Sequence, residues 1–109
     1  MVAGRGGDHG GRMTTLHVEN TIRDYDSWKS NFDKFDRARR DRGVTRYRVS
    51  RAAEDPTTVM VDLEFDSTGR AEEFREFLRG VMQTPQALSE LVEHRPPAVF
   101  EVMEDTVLG

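Results

Sequence analysis

The sequence predicts an α+β fold, a four-stranded antiparallel sheet with helices on one of its faces, and three observations predict it. The stretch Thr57 to Phe65, TTVMVDLEF, sets Val59, Val61, Leu63 and Phe65 on one side of an extended chain and Met60, Asp62 and Glu64 on the other, which is a strand with one apolar face. Two stretches with helical spacing, around Trp28 and around Phe74, each carry one apolar stripe that must lie on something. The patterns follow one another as strand, helix, strand, strand, helix, helix, strand, so each half needs a right-handed crossover back to the same sheet. That is the split βαβ, or ferredoxin-like, arrangement.

Taken in order, the start MVAGRGGDHGGRM holds five glycines and no hydrophobic segment, so residues 1–13 are expected to be a flexible tail in which His9 is solvated. Thr14 to Ile22, TTLHVENTI, alternates Leu16, Val18, Asn20 and Ile22 with His17, Glu19 and Thr21, a half-buried strand with an amide on its apolar side. Asp24 or Asp26 can cap the helix that follows, and Tyr25, Trp28, Phe32 and Phe35 form its stripe. On its outer side Asp33 with Arg37 and Asp36 with Arg40 are four apart, the spacing of helical ion pairs. Gly43 ends this helix.

Val44 to Ala53 is the second strand, with Tyr47 and Val49 toward the helices and enough charge to belong at a sheet edge. The turn at Glu54-Asp55-Pro56 makes it an antiparallel hairpin with the central strand. Ser67 or Thr68 then caps a helix with the stripe Ala71, Phe74, Phe77 or Leu78, and Val81, ended or bent at Gly80. Thr84-Pro85 starts a short helix expected to carry Leu88, Leu91 and Val92 inward, until Arg95-Pro96-Pro97 stops it. The last strand is Ala98 to Met103, and residues 14–104 make the domain, with 105–109 a short tail.

At 109 residues, with 33% charged and 36% apolar, the chain suits one soluble globular domain. A net charge of −4 argues against a general affinity for nucleic acid. The arginines from Arg37 to Arg42 are interleaved with Asp36 and Asp41 and fit a helix C-terminus instead. Without cysteine there is no disulfide or thiolate site, and no apolar run approaches the ~20 residues of a membrane span. A cytoplasmic protein fits these facts. No glycine-rich phosphate loop follows a strand and no metal-ligand spacing occurs, so no cofactor and no metal are expected.

With the helices on one sheet face, the other, bearing His17, Glu19, Met60, Asp62, Glu64 and Glu101 with Arg46 and Arg48, is left for water or a symmetry mate. The runs HVENTIRDYDSWKSNF (His17 to Phe32), GVTRYRVSR (Gly43 to Arg51) and EDPTTVMVDLEF (Glu54 to Phe65) resemble small actinobacterial proteins of the dimeric α/β-barrel superfamily. That superfamily includes antibiotic biosynthesis monooxygenases and proteins labelled cyclases. The resemblance implies a homodimer with two sheets face to face, and a small-molecule pocket inside each subunit, between sheet and helices.

It directs attention to Asn20, since a buried amide without partners costs about 1–3 kcal/mol. Asn20 is satisfied by backbone or water, or it orients a ligand in a pocket walled by Trp28, Phe32, Phe74 and Phe77, with Tyr47 a further donor. The heme-degrading branch of the superfamily also has a first-strand asparagine, but needs a tryptophan and a histidine in the later helices. Here Phe77 stands at the tryptophan's place and no histidine occurs from Leu78 to Glu93, so heme degradation is not expected. His94, before Pro96-Pro97, reads as a surface or capping residue. His17 and Asp62 could pair as base and orienter without an evident nucleophile beside them. Two functions remain open: a cofactor-independent monooxygenase-like or cyclase-like enzyme acting on an aromatic or polyketide molecule, and a non-catalytic small-molecule-binding or structural homodimer.

Overall fold

The computed structural model describes residues 12–109. The glycine-rich tail and His9 lie outside the described residues, apart from Arg12 and Met13. The elements run β1 (Thr14–Ile22), α1 (Tyr25–Asp33), α2 (Asp36–Asp41), β2 (Arg46–Ala52), β3 (Asp55–Phe65), α3 (Thr68–Val81), α4 (Pro85–Glu90), β4 (Leu91–His94) and β5 (Ala98–Glu101). Every strand pairing is antiparallel. The sheet order is β2-β3-β1-β4, with β5 also on β1. The alternation read from the sequence decides the two central strands: Leu16 lies opposite Leu63 and Val18 opposite Val61, all four buried with Ile22, Val59 and Phe65 under the helices. Each such side chain contributes roughly 1.5–3 kcal/mol on leaving water.

The fourth sheet position is filled by two short strands, not the one expected. Leu91 pairs with Ile22 and His94 with Asn20, while Ala98 to Glu101 pair with His17 to Thr14. Between them Pro96 and Pro97 have no N–H to give the ladder, and Arg95 N still donates to the Glu19 carbonyl at 3.2 Å. The helix expected to run through Val92 therefore stops at Glu90. Leu88 and Val92, expected inside, are 51% and 58% exposed, and only Leu91 of the three is buried. The register also moves Phe100 to the open face, where its ring meets His17 edge-on at 6.2 Å. Glu101, expected there, pairs with buried Thr14 instead.

The first helix is broken in two. Lys34 and Phe35 form a turn between α1 and α2, which leaves Phe35 more exposed than the stripe implied and swaps the ion pairs: Lys29 reaches Asp33 at 2.7 Å, and Asp36 keeps Arg40 at 2.9 Å. The expected caps are present, with Asp24 accepting from Ser27 N, Ser67 from Arg70 N and Thr84 from Ala87 N. Helix α3 ends at Val81, one residue past Gly80. Gly43, by contrast, has φ +97°, a left-handed conformation suited to glycine, and turns the chain from α2 into β2.

Candidate functional site

Between the helix-facing side of the sheet and the helices lies a cavity of about 130 Å³, partly open to solvent. Val18 and Asn20 of β1 and Val61 and Leu63 of β3 form its floor. Its walls are aromatic because the stripes of α1 and α3 both line it: Trp28 stacks on Phe32 at 5.1 Å, and Phe74 of α3 is edge-on to Phe77 at 5.4 Å. Phe35, Leu78, Val81, Met82 and Leu91 add to the apolar lining. Its rim is polar. Glu90 Oε2 accepts from Ser27 Oγ at 2.7 Å and Asn31 Nδ2 at 2.8 Å, and Gln86 Nε2 donates to Asn31 Oδ1 at 2.6 Å. These bonds tie α4 to α1 across the opening.

Of the residues singled out from the sequence, Asn20, Trp28, Phe32, Phe74 and Phe77 all line this cavity. Tyr47 does not. It sits on edge strand β2 with its ring edge-on to Phe32 at 5.3 Å, behind the wall. Asn20 is 6% exposed, and its Oδ1 finds no hydrogen-bond partner among the described residues. A buried carboxamide oxygen in that state costs about 1–3 kcal/mol, and a ligand donor would recover it.

Arg39 was not picked out by the sequence reading. It is 4% exposed and lines the cavity. Its guanidinium carbon stands 3.8 Å from the centre of the Phe32 ring and 5.0 Å from that of Tyr47. Its Nη2 donates to the Phe32 carbonyl at 2.8 Å, and Asp36 Oδ1 is 3.9 Å away. Burial pushes the guanidinium below its ordinary pKa, with Tyr47 and Asp36 only partly opposing, yet arginine keeps its charge in proteins. Part of the signal was available: the stripe 28, 32, 35 continues by steps of four and three to 39 and 42, which sets Arg39 and Arg42 apart from Arg37 and Arg40, and Arg42 stands 3.8 Å from the centre of the Phe77 ring.

The other candidate pair faces away. The β1–β3 register sets His17 opposite Asp62, with Nδ1 2.6 Å from Oδ1, but both are on the open side of the sheet. Glu19 Oε1 lies 3.6 Å from His17 Nε2, and Arg95 Nη1 reaches Glu19 Oε2 at 3.2 Å. The Asp62 hydrogen bond, followed by the charges of Asp62 and Glu19, raises the His17 pKa against partial burial. Among the described residues no cluster of three or more His, Asp or Glu side chains is arranged to hold a metal ion. His94 is exposed on β4.

Solved structures share this architecture. A dimeric protein from an uncultured marine organism, described as ferredoxin-like, superposes with a TM-score of 0.65 at 14% identity, covering 87% of this chain and 98% of its own. The fold is ferredoxin-like. This chain also matches a candidate antibiotic biosynthesis monooxygenase from Chloroflexus aurantiacus at TM-score 0.57 and 11% identity, covering 89% of this chain and 99% of that one. Another from Nitrosomonas europaea matches at 0.54, 15% identity, and 91% and 98% coverage. No protein-family model matches the sequence, and no curated protein matches it significantly. No helix among the described residues is long and apolar enough to cross a membrane.

Proposed function

We propose that the protein is a homodimeric, monooxygenase-like enzyme of the cytoplasm that takes a small electron-rich aromatic molecule into the cavity of each subunit. The carrying observation is an aromatic-walled cavity whose floor holds a buried carboxamide oxygen without a partner among the described residues. Support comes also from fold neighbours described as candidate antibiotic biosynthesis monooxygenases. A hydroquinone is a fitting substrate: with O₂ it gives a hydroxylated benzoquinone and water, one oxygen atom entering the ring and the other leaving with two hydrogens. The substrate supplies all the electrons. The chain's own residues position the ring between Trp28, Phe32 and Phe74, keep water from it, and let Asn20 hold a ring hydroxyl.

Oxygen uptake and quinone formation with methylhydroquinone test this. Wild-type turnover is expected to fall by roughly tenfold or more in Asn20→Ala and Trp28→Ala, since each removes a positioning contact. Turnover unchanged in both variants rules the mechanism out. One observation favours the second reading, a binding protein without chemistry: the hydrogen-bonded His17–Asp62 pair is on the opposite face from the cavity. Ring binding at Asn20 without any oxygen consumption would establish that reading instead. A cyclase-like ring closure is the remaining enzymatic variant, and would consume a polyketide without oxygen.

A further inference from the structure

Asn20 is not the sole polar atom left unmatched in the cavity wall. Arg39 Nε is also buried and without a hydrogen-bond partner among the described residues. Arg75 Nε shares that condition but does not line the cavity. A buried guanidinium is costly unless its charge is paired and its N–H groups are bonded. Here a carbonyl takes one N–H, and the nearest carboxylate is at 3.9 Å, beyond hydrogen-bond length. The Phe32 ring face, 3.8 Å from the guanidinium carbon, favours the charge, and Tyr47 also favours the charged form, yet Nε is left without an acceptor among the described residues. An apolar side chain would pack α2 against the same rings without bringing a charge. Glu90, the acidic group in the lining, is taken up by Ser27 and Asn31 at the rim.

Size limits what could complete the arginine. A dry cavity of ~150 Å³ admits benzene, whereas drug-sized ligands need roughly 300–1,000 Å³. At about 130 Å³, this cavity takes a single six-membered ring, or one ring of a larger molecule whose remainder lies outside. We propose that Arg39 is a specificity residue that selects ring compounds carrying an anionic oxygen, a phenolate or a ring carboxylate, and receives that oxygen at Nε. Asn20, whose carboxamide can turn either its oxygen or its NH₂ to the ligand, contacts a second polar group of the same ring. This rests on the aromatic-cavity reading above and narrows it: the bound form of a phenol is its anion, which is also the electron-rich form.

The test uses 4-nitrophenol, whose phenolate is seen by its absorbance, with benzoate and the neutral nitrobenzene as companions, titrated into the full-length protein at a pH below that of the free phenol's ionisation. Wild type is expected to bind 4-nitrophenol as the yellow anion, and to favour it or benzoate over nitrobenzene by roughly tenfold, the factor of a charge-assisted hydrogen bond. Arg39→Gln should bring the anions to parity with nitrobenzene and leave bound nitrophenol protonated, and Arg39→Lys should keep part of the preference. Preference for the phenolate over benzoate marks a ring-borne oxygen as the recognised group; the reverse marks a carboxylate. Anions and nitrobenzene bound equally by wild type would overturn the assignment while leaving an aromatic cavity in place. Failure of all three probes to bind would overturn both. The wild-type comparison decides the matter even where a variant does not fold.

Discussion

Asn20 lies between Val18 and Ile22 on the buried side of β1, in a position where a hydrocarbon would be expected. Its oxygen is desolvated without a partner among the described residues, so Asn20→Leu should stabilise the free protein by about 1 kcal/mol, seen as a higher urea midpoint, while abolishing ring binding. A destabilised variant would mean that the amide is structurally bonded after all. That this residue was special could be read from the strand's alternation alone. Arg39 was hidden by its neighbours, because four arginines in six residues look like a solvated helix end; spacing leaves Arg39 and Arg42 together on the stripe, and only the packing of α2 against Phe32 shows which of the two is buried. His17 has the opposite problem: its hydrogen bond to Asp62 needs the cross-strand register, which spacing within one strand does not reveal. Its folded pKa is raised, chiefly by that bond, above the 6.5 of an ordinary histidine, so the folded state binds the proton more tightly. The resulting stability is fully present below about pH 6.5 and is lost as pH rises through the elevated value. Urea midpoints across that window should fall in wild type, by an amount within the ~0–1 kcal/mol of a partly exposed pair, and stay flat in His17→Gln.

Where alternation is strict the buried face was legible, although β3 starts at Asp55, inside the expected turn, and not at Thr57. β1 spans the predicted bounds, and the buried face of β3 is the predicted one. The last stretch was not, because Leu88, Leu91 and Val92 have helical spacing while the free edge of β1 offers hydrogen bonds to any extended chain beside it. Pairing with that edge outweighs the local preference from Leu91 onward, and Pro96-Pro97 then cut the new strand in two. The α1–α2 break had no glycine or proline to announce it. Gly43 did, and its role can be measured. A Cβ at this position would stand 2.7 Å from Arg70 Cδ and 2.8 Å from its Nη1, on a backbone at φ +97°. Gly43→Ala should cost about 1–2 kcal/mol, of which Arg70→Ala in the same chain recovers the steric part and leaves the backbone part. Full recovery in the double variant would show that the left-handed turn is not strained, and chemical denaturation of the three proteins separates the cases.

At the scale of the whole molecule, the sheet has, among the described residues, one face under helices and one without. The open face carries Met60 and Phe100, 36% and 55% exposed, beside a mixed set of charges: His17 with Asp62, Glu19 with Arg95, and Arg46 near Glu64 at 3.8 Å. Apolar centres among paired charges are what a self-complementary two-fold contact uses, since each basic group can find an acidic one across the axis. We propose this face as the homodimer contact, in keeping with a fold neighbour described as dimeric. Light scattering should then give twice the 12.5 kDa of one chain at micromolar concentration. Phe100→Asp and Met60→Lys should each weaken association by about 2 kcal/mol, roughly thirtyfold in Kd. Leu88→Asp is the matched control: Leu88 is as exposed as Phe100 but sits on the helical side, so it should leave the dimer intact. Dissociation by Leu88→Asp with no effect from Phe100→Asp would move the contact to the helices. The cavity rim, where Gln86 and Glu90 of α4 meet Asn31, would then be covered by the partner, and ligand access would depend on protein concentration.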